Sequence, residues 1–332
     1  MKLLKYICSL FAVLAGVSCQ VAFDLDIDET PLIFLESFPG SDSVVVFDIK
    51  PAYSLSNSAK RPEFKPEIVF VVNGSNVPVD YRGESYVADY KPLPGDKMRV
   101  EVSSEGFTSI WAETVIPAEF PKRRIDFREV TLGDMETNIL EVIPEGAEDG
   151  PYAFGMNIFM ETTYYFTEDS TEVYTRTYTG NQASDYFEMS PVSFDGLVVR
   201  FGPNRTRLGV WENVSPKENV ISYLLESYIH TGIDSYESFF DHEGETVSYD
   251  QNGLVTGSVK YRERNKLYLY TLTEEFYKYA IAQLLIYNNT DFPGIAPANF
   301  CYTNITGGYG AFAGVTCVET DWITKEFIEN NR

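Results

Sequence analysis

Histidine is almost missing from this sequence: among 332 residues only His230 and His242 carry an imidazole. That shortage excludes His-rich metal sites and leaves little room for histidine-based acid/base chemistry. Positive charge is scarce too, with 26 Lys and Arg against 49 Asp and Glu and a formal net charge of −23. A field of that sign repels phosphate, so nucleic-acid binding by electrostatic attraction is excluded. Apolar runs are short. Ile7 to Val17 falls below bilayer-spanning length, and Tyr279 to Tyr287 is interrupted by Gln283. The G-x-S-x-G, H-E-x-x-H and G-x-x-x-x-G-K-[ST] patterns are absent. What remains, 44% hydrophobic and 23% charged residues, is the balance of a folded globular chain long enough for two domains.

The first eighteen residues read as a signal peptide. Lys2 and Lys5 precede the apolar run, and small residues lead to Ser18-Cys19. Gly16-Val17-Ser18-Cys19 resembles a lipobox, with Gly16 where Leu is usual, and this predicts acylation of Cys19. Several acyl chains at about 0.8 kcal/mol per methylene would hold the protein to a lipid bilayer. The competing route, cleavage after Val13-Leu14-Ala15, would leave Cys19 as a thiol. Of the four cysteines, Cys8 leaves with the signal. Cys301 and Cys317 remain, enclosing the Gly-rich residues 302–316. An oxidising compartment favours a disulfide between them, while two small core residues are the alternative.

Residues 19–120 carry strand signals between frequent turns. Phe23 to Asp28, Ser43 to Ile49, Glu67 to Val72, Tyr86 to Tyr90, Lys97 to Ser103 and Thr108 to Ile116 alternate or run β-branched. This pattern predicts an immunoglobulin-like β-sandwich. Pro117, Pro121 and the triplet Lys122-Arg123-Arg124 mark a boundary, the triplet reading as a solvated linker or a partner of local acids, or else as an anion site. Residues 121–332 then form a larger β-rich domain. It holds a hairpin, Thr162–Thr167 with Glu172–Tyr178, and one buried helix, Glu274 to Tyr287, with Thr271 and Thr273 available as caps. Val220 to Thr231 fits helix and strand alike. The predicted fold class is mostly β.

Few residues invite chemistry. Asp24, Asp26 and Asp28 share one strand face and could bind calcium or simply meet solvent. His230 and His242 lie near Asp234, Asp241 and Glu243, as an acid/base pair or as surface residues. Thr303 to Gly314 contains four glycines with Tyr309 and Phe312. It is either a braced loop presenting two aromatic interface anchors or a tight turn with both rings in the core. No catalytic residue, metal ligand or cofactor is assigned.

Three stretches together resemble one family. Tyr86 to Lys97 and Ser103 to Pro117 look like its N-terminal sandwich, which is similar to the carboxypeptidase-regulatory-like fold. Leu272 to Tyr279 resembles its S-E-x-Y-Y-x-Y helix, and Asn304 to Phe312 its terminal N-I-x-G-G-x-G-x-F motif. The family is a group of Bacteroidota outer-membrane lipoproteins, domain of unknown function 4249, often encoded beside TonB-dependent receptors. The resemblance implies an accessory or ligand-binding subunit of a TonB-dependent uptake system, with the receptor as partner and the outer membrane as location. It supplies no catalytic residues. A pilus-like structural or adhesive surface protein and a carboxylate-based hydrolase are the alternatives. Against the former, Trp322 to Arg332 is too charged for a donor strand.

Overall fold

The computed structural model describes residues 30–41, 43–53, 61–132, 135–145, 153–167, 170–178, 181–182, 193–201, 204–212, 221–224, 239–249, 251, 255–288 and 302–331. The signal peptide, Cys19, the Asp24/Asp26/Asp28 strand, His230, Asp234 and Cys301 lie outside them.

Eight strands form the first half: β1 (Leu32–Ser37), β2 (Val45–Ala52), β3 (Glu67–Val72), β4 (Ser75–Val77), β5 (Asp80–Arg82), β6 (Ser85–Ala88), β7 (Lys97–Ser103) and β8 (Ile110–Val115). Period-two alternation decides their faces. In β7, Met98, Val100 and Val102 point inward while Lys97, Arg99 and Glu101 point out. Asn73 and Gly74, both at positive φ, make the tight turn between β3 and β4.

The second half comprises β9 (Arg123–Leu132), β10 (Met135–Pro144), β11 (Ala153–Thr167), β12 (Ser170–Tyr178), β13 (Asn181–Gln182), β14 (Ser193–Phe201), β15 (Asn204–Glu212), β16 (Ile221–Leu224), β17 (His242–Tyr249) and β18 (Val255–Leu272). Helix α1 (Glu274–Asn288), β19 (Tyr309–Phe312), β20 (Val315–Glu319) and α2 (Lys325–Asn331) follow. The protein is mostly β, as its sequence predicts. The ambiguous stretch from Val220 resolves as strand at Ile221–Leu224.

Two sheets face each other in the first half, ordered β19-β1-β2-β6-β5 and β4-β3-β7-β8. Their apolar faces close on one core, in which the Phe47 ring meets Phe70 edge-on at 5.1 Å. In the second half, β13-β16-β10-β9 packs on a seven-stranded sheet built around β11 and β18. At the base of β18 both faces are covered. Leu267 and Leu269 enter the core shared with β9 and β10, while Tyr268, Tyr270 and Leu272 turn to helix α1.

Helix α1 forms where expected. The Phe276 N–H donates to Thr273 Oγ1, which caps its first turn. Phe276, Tyr277, Tyr279, Ala280 and Ala282 are all buried, because the helix fills the junction between the halves. Phe38, on the sandwich side, packs on Phe276 and Tyr279 at 5.0 and 5.5 Å.

The assignment of all of 121–332 to a second domain needs correcting. Strand β19 lies parallel to β1, with Phe34 opposite Tyr309 and Ser37 opposite Phe312, so it belongs to the sandwich. A few residues on, β20 pairs antiparallel with β18 in the other half. One extended segment, 309–319, thus runs through both sheets. The stretch after β8 is clamped as well, since the buried hydroxyls of Thr271 and Thr316 both donate to the Ala118 carbonyl. Of the basic triplet, Arg123 and Arg124 begin β9 rather than a linker, and Lys122 pairs with a nearby acid, Glu145, at 3.9 Å, as the local-acid reading expects.

Candidate functional site

The Gly-rich stretch is a seam between the two sheets of the sandwich. On one side β19 joins β1. On the other, Thr306 and Trp111 of β8 exchange backbone hydrogen bonds at 2.9 and 3.2 Å, and the Gly314 N–H donates to Thr114 Oγ1 at 2.8 Å. Space, more than flexibility, selects glycine here. A Cβ on Gly308 would lie 2.4 Å from the Ile33 carbonyl oxygen, and one on Gly310 would lie 1.9 Å from that of Leu35. Gly310 also sits at φ +110°, where side chains are strained in any case.

This placement separates the two proposed interface aromatics. Phe312 is fully buried and stacks on Phe47 at 6.3 Å, so it cannot be presented to a partner. Tyr309 is 49% exposed. Alternation sends Tyr309 and Phe312 to opposite faces: Phe312 enters the sandwich core, while on the other face Ala311 is buried against helix α1 and Tyr309, at the end of the strand, stays exposed. Cys317 lies half-buried on β20, opposite Tyr270.

The histidine–carboxylate constellation is tied up in structure among the described residues. His242 Nδ1 lies 2.9 Å from the Phe240 carbonyl oxygen, and its ring meets Tyr261 edge-on. Asp241 accepts two hydrogen bonds from Arg262, which hold its carboxyl below the usual aspartate range against the effect of burial. No group of three or more His, Cys, Asp or Glu among the described residues is arranged to hold a metal. No helix among them is long and apolar enough to cross a membrane.

The surface best built for recognition is one the sequence reading did not single out, the outward face of β3, β7 and β8. The strand register sets residues in rows across it: Val69, Glu101 and Trp111, then Val71, Arg99 and Glu113, then Lys97 and Val115. Val69, Trp111 and Val115 are 47%, 38% and 46% exposed. At the centre, Arg99 lies 4.4 Å over the Trp111 ring and pairs with Glu113 at 2.6 Å and Glu101 at 2.8 Å. Those two carboxylates, Glu113 foremost, raise the guanidinium above its ordinary value. The charge is fixed in place by partners on three sides, with apolar groups beside it. Where this face meets the start of α1, a cleft of about 500 Å3 opens, with Val71, Val115, Lys97, Arg99 and Glu113 on one wall and Thr273 and Glu275 on the other. An aliphatic floor with fixed charges of both signs suits an amphipathic segment or ligand. The signal that could have found it is the alternation itself. In β8 the period that buries Ile110, Ala112 and Thr114 sends Trp111, Glu113 and Val115 outward, and an outward tryptophan is uncommon.

The sequence profile of a family described as a domain of unknown function, DUF4249, matches residues 20–321. This chain belongs to the DUF4249 family. No curated protein matches it. The DUF4249 match takes in β1 to β20 and helix α1, so the sandwich, the cleft and the Gly-rich seam all fall inside it.

Proposed function

We propose that this DUF4249 chain is a non-catalytic binding subunit. In this reading Cys19 carries acyl chains that anchor it to the outer membrane, and the cleft between the sandwich and α1 engages an exposed segment of a TonB-dependent receptor. The cleft carries the reading: aliphatic walls next to a positioned Arg99 favour recognition over bond-making. Cys301 and Cys317 form a disulfide in this reading, consistent with export.

Co-purification from native membranes tests it. Cys19→Ala should move the protein from the membrane fraction to the soluble one. Val115→Arg combined with Lys97→Glu should leave the protein folded and anchored but deplete the receptor from its complexes about tenfold. A Cys19→Ala protein that still sediments with the outer membrane refutes the anchor. Undiminished receptor recovery with the altered cleft refutes the binding role.

A further inference from the structure

The seven-stranded sheet reaches well beyond its core. Past Met156, β11 leaves β15, and from Ile158 it takes β12 as its neighbour, so the far end of the sheet has the order β12-β11-β18-β17. Among the described residues β12 pairs with β11 alone, and residues 170–175 are all exposed. Val173 and Tyr174 are 57% and 55% exposed. The nine-residue strand, Ser-Thr-Glu-Val-Tyr-Thr-Arg-Thr-Tyr, carries neither proline nor lysine, and its only charges are one of each sign, Glu172 and Arg176.

Its sequence is complementary to itself. Laid antiparallel on a second copy and centred on Tyr174, the strand places Glu172 opposite Arg176 on both sides of the two-fold axis. Val173 then meets Thr175, and Thr171 meets Thr177. Opposite charges and Thr–Thr pairs facing each other are the combinations that stabilise antiparallel sheets. An aromatic cluster ends at the same line: Tyr164 packs on Tyr174 at 5.6 Å and on Tyr261 at 6.1 Å, with Phe166 beside it. The Tyr174 hydroxyl donates a hydrogen bond to Glu172 at 2.5 Å, which steadies the ring.

We propose that two copies of this chain pair through β12, antiparallel about Tyr174, joining their distal sheets into one. A contact that maps a surface onto itself closes as a dimer. It leaves the cleft beside α1 free.

Disulfide trapping in native membranes tests the pairing on the full chain. Tyr174→Cys should give a covalent dimer under mild oxidation, whereas Val247→Cys, exposed on β17, should not. In the Tyr174→Cys background, Glu172→Arg or Arg176→Glu puts like charges opposite each other. Each should lower the dimer yield about tenfold. The exchange Glu172→Arg with Arg176→Glu should restore it, which a purely structural role for either residue would not produce. Two results would overturn the proposal: no dimer from Tyr174→Cys, which would also be the outcome of head-to-tail pairing, or a yield indifferent to the charge reversals.

Discussion

Asn304 and Phe312 are joined twice across the Gly-rich turn. The Phe312 N–H donates to Asn304 Oδ1 at 2.9 Å, and Asn304 Nδ2 donates to the Phe312 carbonyl at 2.7 Å. One side-chain amide thus does the work of a neighbouring strand. Asn304→Ala strands a buried donor and acceptor together, at a cost of about 2–4 kcal/mol. Asn304→Asp keeps the acceptor and should fall between. Urea denaturation measures both.

Two glycines at positive φ should respond very differently to alanine. Around Gly83 there is open space, so only the backbone strain is felt, about 1 kcal/mol. At Gly310 the added methyl collides with the Leu35 carbonyl, and β19 must leave β1. We expect Gly310→Ala to destabilise by about 4 kcal/mol or more. Equal losses at the two sites would contradict the close approach.

Phe312→Ala should cost about 3–5 kcal/mol by opening a cavity beside Phe47. Tyr309→Ala should stay within about 0.5 kcal/mol. Thermal melts of the two variants side by side separate core from surface.

The sequence announced most of the sandwich and little of its closure. Strands Glu67–Val72 and Lys97–Ser103 were legible because alternation over one solvated face leaves a period of two. Helix α1 was legible from its cap and its ring of apolar residues. The place of 309–312 was not, since nothing local in Tyr-Gly-Ala-Phe names β1 as its partner. Its glycines signal close backbone approach without saying to what. The recognition face was half visible: the outward residues of β7 and β8 could be read, but the cleft needs α1, which comes from a distant part of the chain.

Alkaline and acid limits should both trace to one hydrogen-bonded cluster. The Tyr90 hydroxyl donates to Asp96 at 2.6 Å, and the Leu93 N–H and the Asn73 amide donate to the same carboxylate. That bond to Asp96, together with burial, pushes the Tyr90 phenol up to about 12. Burial would raise the Asp96 carboxyl, but the three donors outweigh it and hold it below the ordinary aspartate range. A raised phenol contributes stability in full below about pH 10 and loses it between there and about pH 12. A lowered carboxyl contributes above its unfolded value near pH 4 and loses it as pH falls further. Tyr90→Phe should flatten the alkaline limb of a stability–pH curve, and Asp96→Asn the acid limb. An unchanged alkaline limb in Tyr90→Phe would assign that loss to another group.

If the proposed export holds, peptide mapping of the protein without reductant should recover Cys301 linked to Cys317. Closing fifteen residues contributes about 3 kcal/mol in the chain-entropy view, so reduction should lower the denaturation midpoint accordingly. Two unlinked thiols would remove the staple.

Strand β19 also fixes when the molecule can finish folding. The sheet that begins with β1 is completed only by residues near the opposite end of the chain, because Leu35 pairs with Gly310. Those residues follow every other strand of the sandwich in chain order, so the β1 edge of its sheet stays unlatched until they arrive. Contacts of such sequence separation are slow to form. Until the latch arrives, β1 offers bare backbone to any passing strand, the condition in which chaperones are needed. A chain cut short before residue 302 should therefore aggregate rather than yield a smaller folded piece.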